Sequence, residues 1–560
     1  MSHFIDADWA RVLGQLRSEI DSRGLHPAAC VVLVPYAQLM HEARSAWAAQ
    51  GTASFVPHFE TTMNWANSLQ MPMAGPLEPA TGDIRMDTAC DWLTAAGLLA
   101  RAGLGAHKDL LAGRLVESAW SLARLAAARP PEERAAWGQR LAVQLAAGMD
   151  SPLLALESAV GQIALAWATT SAYPTDILFS ATGELLVVLE GFQADPLSDA
   201  LRARWGARAL SLPLLAPSVP GQPMLQAATD AEDEAQRAAA CVLERLAEGL
   251  RPVALVAQDR VLTRRVRAML ANQGVAVRDE TGWKLSTTRA AAGLMSLLRA
   301  AAWDVSTDTV LDWLKNAPVF DAAAVTAAEL ALRKAGLRQW RQVDEALPAA
   351  QALAMQMKPL LLPLQGSQPL MLWLRALRGV LEATQQWPVL LGDTAGQAAT
   401  DALHLREGQE NEFDSAVETY GARMSLRDFT AWVNQVLESA SFTPEHPPEA
   451  QVVIMPLSQL LGRPMQGWSF RGPMKCVCRS RPSRRASGRR RSARCWVCPP
   501  ARRWRLLPGL PGITRCSTCT WMCSGVPARV VSASWPAALC RPCCLRLAPC
   551  WRLIVESLAH

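Results

Sequence analysis

The chain changes character at about residue 470. From Arg471 to His560 it holds 17 Arg and one Lys against a single acid, Glu556, together with 11 of its 14 Cys. The residues before the break carry 38 basic against 49 acidic side chains, so the body is net −11 and the tail +17. The +6 of the whole chain is the sum of two unlike pieces, and a nucleic-acid reading drawn from total charge would rest on the tail alone.

Two features of the tail invite a function. Cys495-x2-Cys498 followed by Cys516-x2-Cys519 has the spacing of a zinc ribbon, since tetrahedral thiolate zinc takes its ligands in paired knuckles. The runs Arg484-Arg485 and Arg489-Arg490-Arg491 could neutralise phosphates. One other origin accounts for both: Arg, Pro, Cys and Trp are what a GC-rich gene yields out of frame. Written as degenerate codons and read from the third base of the Trp468 codon, Trp468 to Arg479 permits V-F-P-G-x-D-E-V-R-L-P, a strand and an acidic turn. The same frame across Cys516 to Gly525 permits L-H-L-H-L-D-V-L-W. One frame restores carboxylates in both windows. Residues 471–560 are therefore taken as an out-of-frame tail, expected to be irregular and to bind no zinc, with a frame break near Gln466. A zinc-ribbon DNA-binding protein is the alternative if the tail is in frame.

The body of about 470 residues is long enough for two to four domains. It has three scattered thiols, Cys30, Cys90 and Cys241, and no positively charged leader before an apolar core, so a reduced, cytoplasmic protein is expected. No apolar run reaches the roughly 18 residues of a membrane span. The nearest, Leu153 to Trp167, is broken by Glu157 and Gln162.

Periodicity predicts an α/β body. Its first unit opens with a helix over Trp9 to Ile20, a buried strand Cys30 to Val34 and a helix Ala37 to Ala49. Thr88 to Thr170 is almost wholly helical, and strands are expected again at Asp176 to Phe179 and Leu185 to Leu189. Ala216 to Pro223 has the composition of a linker. The second unit runs from an acidic-start helix, Thr229 to Gly249, into strand Val253 to Val256. A basic helix Val261 to Asn272, a turn at Gly274, strand Val275 to Val277 and a helix Thr287 to Ala301 follow. The expected domains are 1–215 with a helical insertion at 88–170, and 222–470 with a helical insertion at about 305–445.

The Glu234 to Leu298 stretch resembles the start of the second RecA-like domain of superfamily-one helicases of the UvrD/RecB type. Within that superfamily the chain is most similar to the AddB-like subunit of bacterial helicase-nucleases, relatives that bear a PD-(D/E)XK nuclease. The similarity is carried in pieces between residues 25 and 470: Val31 to Met40, Phe59 to Trp65, Glu190-Gly-Phe-Gln193 with Asp195-Pro-Leu197, Glu234 to Leu298, and Val452 to Gly462. It implies two RecA-like wound domains with large helical insertions, a role in processing DNA double-strand-break ends, and DNA and an AddA-like motor subunit as partners.

The departures from the superfamily pattern bear on mechanism. An ATPase of this class needs G-x-x-x-x-G-K-[ST] after its first strand, where amides and a Lys cradle the phosphates. Pro35-Tyr-Ala-Gln-Leu-Met40 stands there instead, and the chain has no Gly-Lys pair. The acidic D-E-x-Q is replaced by Leu189-Glu190-Gly191-Phe192-Gln193, and the aromatic-Arg pair after the strand at Val253 by Val256-Ala257. An inactivated helicase fold is implied, with no catalytic residue, cofactor or metal assigned; an active ATP-dependent helicase is the alternative enzyme reading. The nuclease, with its paired carboxylates and Lys, is expected beyond the break, in the other frame.

Few residues remain as candidates. Arg260, Arg264, Arg265 and Arg267 form a basic helix face that could contact DNA phosphates, against the simpler expectation of a solvated face. Glu190 is expected to be a solvated or hydrogen-bonded carboxylate. His58, His107 and His404 stand apart from Cys and Asp partners and are not expected to ligate a metal. Trp303, Trp313, Trp340 and Trp373 are expected in the core rather than under nucleic-acid bases.

Overall fold

The computed structural model describes residues 3–50, 55–70, 82–146, 154–191, 193–214, 224–257, 259–413, 423–445, 449–460, 467–471 and 519–522. The chain is α/β, with two small parallel sheets and a large helical body.

The first sheet contains β1 (Cys30–Leu33), β2 (His58–Glu60), β3 (Leu185–Glu190) and β4 (Ala209–Pro213), in the spatial order β2-β1-β3-β4, all parallel. Side chains alternate across it as a pleat requires. Cys30, Val32, Leu185, Val187 and Leu189 pack on one face against α1 (His3–Ser22) and α2 (Gln38–Ala49), through Val12, Leu16, Leu39 and Trp47. Leu33, Leu186 and Val188 pack on the other face against Trp65 of α3 (Thr62–Gln70). There Ala128 and Phe179 join the same layer. Sheet faces this apolar on both sides are the signature of a wound α/β unit.

Between β2 and β3 lie α4 (Thr88–Arg101), α5 (Lys108–Ala127), α6 (Pro131–Ala146) and α7 (Ala155–Thr170). The chain returns to the sheet through Asp176–Phe179, which the apolar run predicts as a strand and which is part of a 3-10 helix, Pro174–Phe179. Pro174 at its first position sets a helical φ, and Asp176 accepts the Tyr173 amide at 3.0 Å while pairing with buried Arg134. These local bonds outweigh the β-propensity of a short run. α8 (Pro196–Trp205) then connects β3 to β4 and covers the second face through Leu197, Leu201 and Trp205.

The second half follows a similar plan. α9 (Ala231–Ala247) leads into β5 (Val253–Ala257), then α10 (Arg260–Asn272) and β6 (Val277–Asp279), two residues later than the apolar pattern places that strand. β7 (Val452–Met455) and β8 (Gly467–Arg471) complete a parallel sheet of order β8-β5-β7-β6. α9 and α10 share one face, over Val253, Leu255, Val452 and Ile454.

The excursion between β6 and β7 holds α11 (Arg289–Ala300), α12 (Thr307–Asn316), α13 (Ala322–Ala335), α14 (Pro348–Leu361), α15 (Leu370–Ala383), α16 (Gln386–Leu391), α17 (Thr394–Ala402) and α18 (Leu426–Ser439). Its neck is zipped by an antiparallel pair, Trp283–Lys284 against Ser441–Phe442. Gly282 enters that neck at φ 64°, with the Phe442 carbonyl only 2.9 Å from where a Cβ would sit, so no side chain fits.

The helices of the two excursions bury their apolar faces in one core, which takes in Trp92, Leu115, Trp167, Leu298, Trp313, Trp373, Phe429 and Trp432. Trp432 is fully buried, stacks on Phe429 at 5.9 Å and donates its indole N–H to the Ala89 carbonyl at 3.1 Å. Among the described residues no helix is long and apolar enough to cross a membrane.

The Ala216 to Pro223 linker lies outside the described residues, as do Cys495, Cys498 and Cys516 of the tail. One tail segment departs from the expected irregularity: Cys519–Met522 is a strand, antiparallel to Met224–Ala227. Backbone pairing along a short edge demands little of the side chains, so an extended segment suffices.

Replacing Trp432 with Ala is expected to destabilise the helical body by about 3–5 kcal/mol through the cavity it leaves. Leu110→Ala, at a position 75% exposed, is expected to change stability by less than about 0.5 kcal/mol. Denaturant unfolding of both variants beside the parent measures the difference.

Candidate functional site

The crevice that the fold provides lies at the carboxyl ends of β1 and β3. The chain leaves β1 toward β2 and leaves β3 toward β4, in opposite directions, which opens a topological switch point between two neighbouring strands. After β1 come Val34, Pro35 and Tyr36, and α2 begins without a side-chain cap. Leu39 donates to the Tyr36 carbonyl at 3.0 Å and Met40 to the Ala37 carbonyl at 3.1 Å. A phosphate cradle needs amides pointing outward and a Lys beside them; no Lys, Gly, Ser or Thr stands in this turn.

The acidic side of the crevice is equally self-contained. Glu190, at the end of β3, is exposed and accepts the Ser211 hydroxyl from β4 at 2.5 Å. Glu60, at the end of β2, holds Arg44 at 3.1 Å. Phe192 lies outside the described residues. The crevice therefore presents carboxylates already engaged by hydroxyl and guanidinium partners.

The basic face of α10 is spent in a comparable way. Asp259 caps the helix, accepting from Val261 and Leu262 at 2.8 and 3.3 Å. Arg260 donates to the Thr281 carbonyl at 2.7 Å, Arg265 pairs with Glu232 of α9 at 3.2 Å, and the Arg267 guanidinium lies 4.9 Å over the Trp283 ring. Arg264 is exposed on the same helix. The acidic start of α9 thus faces the basic helix. Three of the four candidate arginines have intramolecular partners, and these exposed contacts are individually weak enough for a phosphate to displace.

The histidines divide. His58 and His107 are exposed. His404, expected to stand apart, does not: its Nε2 lies 2.7 Å from Asp87 Oδ2 and its Nδ1 3.2 Å from Glu412 Oε2. Desolvation lowers the His404 pKa, but the Asp87 hydrogen bond and charge outweigh it and the net shift is upward. Cys90 belongs to the same group, its thiol pushed up to about 12 by burial and then by the Asp87 charge. Separation along the chain concealed the group, because His404 stands 317 positions after Asp87. The only local signal was Asp87-x-x-Cys90 at a helix start.

The tryptophans also divide. Trp313 and Trp373 are fully buried and Trp340 is half-buried, whereas Trp303 is 80% exposed. Trp303 falls beyond the last residue of α11, in a turn, so the helical spacing that would have aimed it inward does not apply.

Arg264→Ala is expected to leave stability within about 0.5 kcal/mol of the parent. Arg267→Ala, which strips the guanidinium from Trp283, is expected to lower it by about 0.5–1 kcal/mol. Chemical unfolding of the two variants checks this. In comparisons with known proteins, no protein-family model matches this chain and no curated protein matches it.

Proposed function

We propose that the chain is an AddB-like helicase-nuclease subunit that acts on DNA double-strand-break ends, with an inactivated motor fold serving as scaffold and strand-recognition surface beside an AddA-like motor subunit. The repeated plan of the two halves supports it. Each half runs helix, strand, helix, strand, then a helical excursion, then two more parallel strands. Two RecA-like domains, each interrupted by a helical insertion, are what the resemblance implies. The strand orders of the two sheets differ, so the likeness between halves is one of element sequence.

The crevice at β1 and β3 argues for a lost motor. ATP turnover requires a phosphate cradle, a cation and an oriented water, and the turn after β1 carries no Gly, Lys, Ser or Thr. What remains useful to a DNA-processing assembly is the surface. The α10 face and its displaceable partners offer a local phosphate contact on a body that is otherwise net acidic.

The purified chain is expected to bind duplex ends with an affinity that falls as salt rises, and to hydrolyse no ATP with or without DNA. Hydrolysis that Glu190→Gln abolishes would overturn the inactive motor. Absence of end binding both alone and with a superfamily-one motor subunit would overturn the scaffold role. Metal-dependent degradation of linear duplex by clean protein is expected to be absent. Sequencing the gene across the codons for Gly462 to Lys475 tests the frame break: an added or missing base is expected.

A further inference from the structure

A compact group of metal-ligating side chains lies where the two helical excursions meet. Asp87 is the N-cap of α4 and Cys90 stands three residues on, so both side chains gather at the same end of the helix. Asp87 Oδ1 accepts the amides of Ala89 and Cys90 at 2.7 and 3.4 Å, which leaves Oδ2 for a longer-range partner. That partner is His404 Nε2, at 2.7 Å. One ligand atom each from Asp87, Cys90 and His404 lies within 4.8 Å of the other two.

His404 is held in place from several sides. It follows α17 with φ 52°, a left-handed conformation that a non-glycine residue takes at a cost. Phe413 packs edge-on against its ring at 5.1 Å, and Glu412 Oε2 stands 3.2 Å from Nδ1. Nδ1 itself has no hydrogen-bond partner among the described residues. The hydrogen bond of the ring is the one that Nε2 donates to Asp87 Oδ2. A metal ion that takes the place of that proton finds a nitrogen and an oxygen ligand already side by side at 2.7 Å. The proton engages Asp87 but gives the neighbouring Cys90 sulfur no part.

We propose that Asp87, Cys90 and His404 form a three-ligand site for a divalent ion of the zinc class, with water completing the tetrahedron. The mixed oxygen, sulfur and nitrogen set suits zinc. Ligand bonds of about 2.0–2.3 Å require only that the Asp87–His404 contact widen while the sulfur draws in. As the Cys90–metal bond forms, the thiol proton leaves to solvent, together with any second imidazole proton. The Asp87 side chain is 32% exposed, which leaves the ion an entry path and the fourth position access to water. The ligands come from both excursions, so the ion would staple the seam that Trp432 also spans.

The test is metal content of the full chain, purified with zinc and then dialysed, beside cobalt(II) substitution. The tail carries 11 Cys of its own, so the decisive quantity is the difference between parent and single variants. His404→Ala leaves every thiol in place, Cys90→Ser is nearly isosteric, and Asp87→Asn keeps a good helix cap. Each is expected to lose about one equivalent of zinc relative to the parent. The cobalt form of the parent is expected to show a thiolate charge-transfer band that Cys90→Ser weakens. Chelation is expected to lower the unfolding temperature of the parent and not that of Cys90→Ser. Three variants that fold by circular dichroism and hold as much zinc as the parent would overturn the site, and so would an unfolding temperature that responds equally to chelation in parent and Cys90→Ser.

Discussion

The indole N–H of Trp432 reaches the carbonyl of Ala89 across 343 residues of chain, inside a core where neither group can meet water. A buried donor must find an acceptor or cost about 1–3 kcal/mol, so this bond and the apolar faces around it determine how the two helical excursions dock. Phe413, Phe429 and Trp432 form a run of ring contacts at 5.9 Å, with Trp373 stacked on Phe429 at 5.1 Å. Lys108 and Asp428 add an ion pair at the rim, 3.4 Å apart and partly exposed, which contributes little beside the rings. The two sheets are small, and the helical body supplies most of the buried apolar surface between them. Loss of the seam would therefore uncouple the halves of the molecule.

Charge in the described body is arranged for local satisfaction. Glu410 is almost wholly buried, which raises its pKa, but Arg375 and Arg378 more than compensate and hold the carboxyl at about 2. Arg134, also buried, bonds the Ala126 carbonyl at 2.9 Å and pairs with Asp176. On α10 the same economy reaches the surface, where arginines meet Glu232, a carbonyl and a tryptophan ring. A body of net −11 repels a polyanion at long range. Any DNA contact here depends on short-range exchange of partners at a defined face rather than on steering by the whole surface.

Elements whose signal is local were legible in the sequence. β1 follows from the run Cys30 to Val34, because a strand buried on both faces is a continuous apolar stretch, and α10 follows from Leu262, Val266 and Leu270 on one face with arginines on the other. Asp176 to Phe179 misled because four residues with apolar content cannot distinguish a strand from a tight helical turn, and the deciding groups were Pro174 before it and Arg134 from another helix. His404 could not be placed by spacing at all. Its neighbours Asp87 and Cys90 belong to the first excursion, and only the packing of α4 against α18 brings them together. Trp303 failed for the opposite reason: a helical register was extended past the end of α11.

The second sheet shows how much of a fold survives where side-chain selection is in question. β8 runs from Gly467 to Arg471, across the point where the composition breaks, and pairs in parallel register with β5 from Val253 to Ala257. That ladder is made by backbone groups, which every residue except proline carries in full. The same holds for Cys519–Met522 beside Met224–Ala227. Edge strands accept extended chain with little regard to its side chains, so pairing at these two edges is compatible with a tail read in the wrong frame. Side-chain alternation is what an in-frame strand would add.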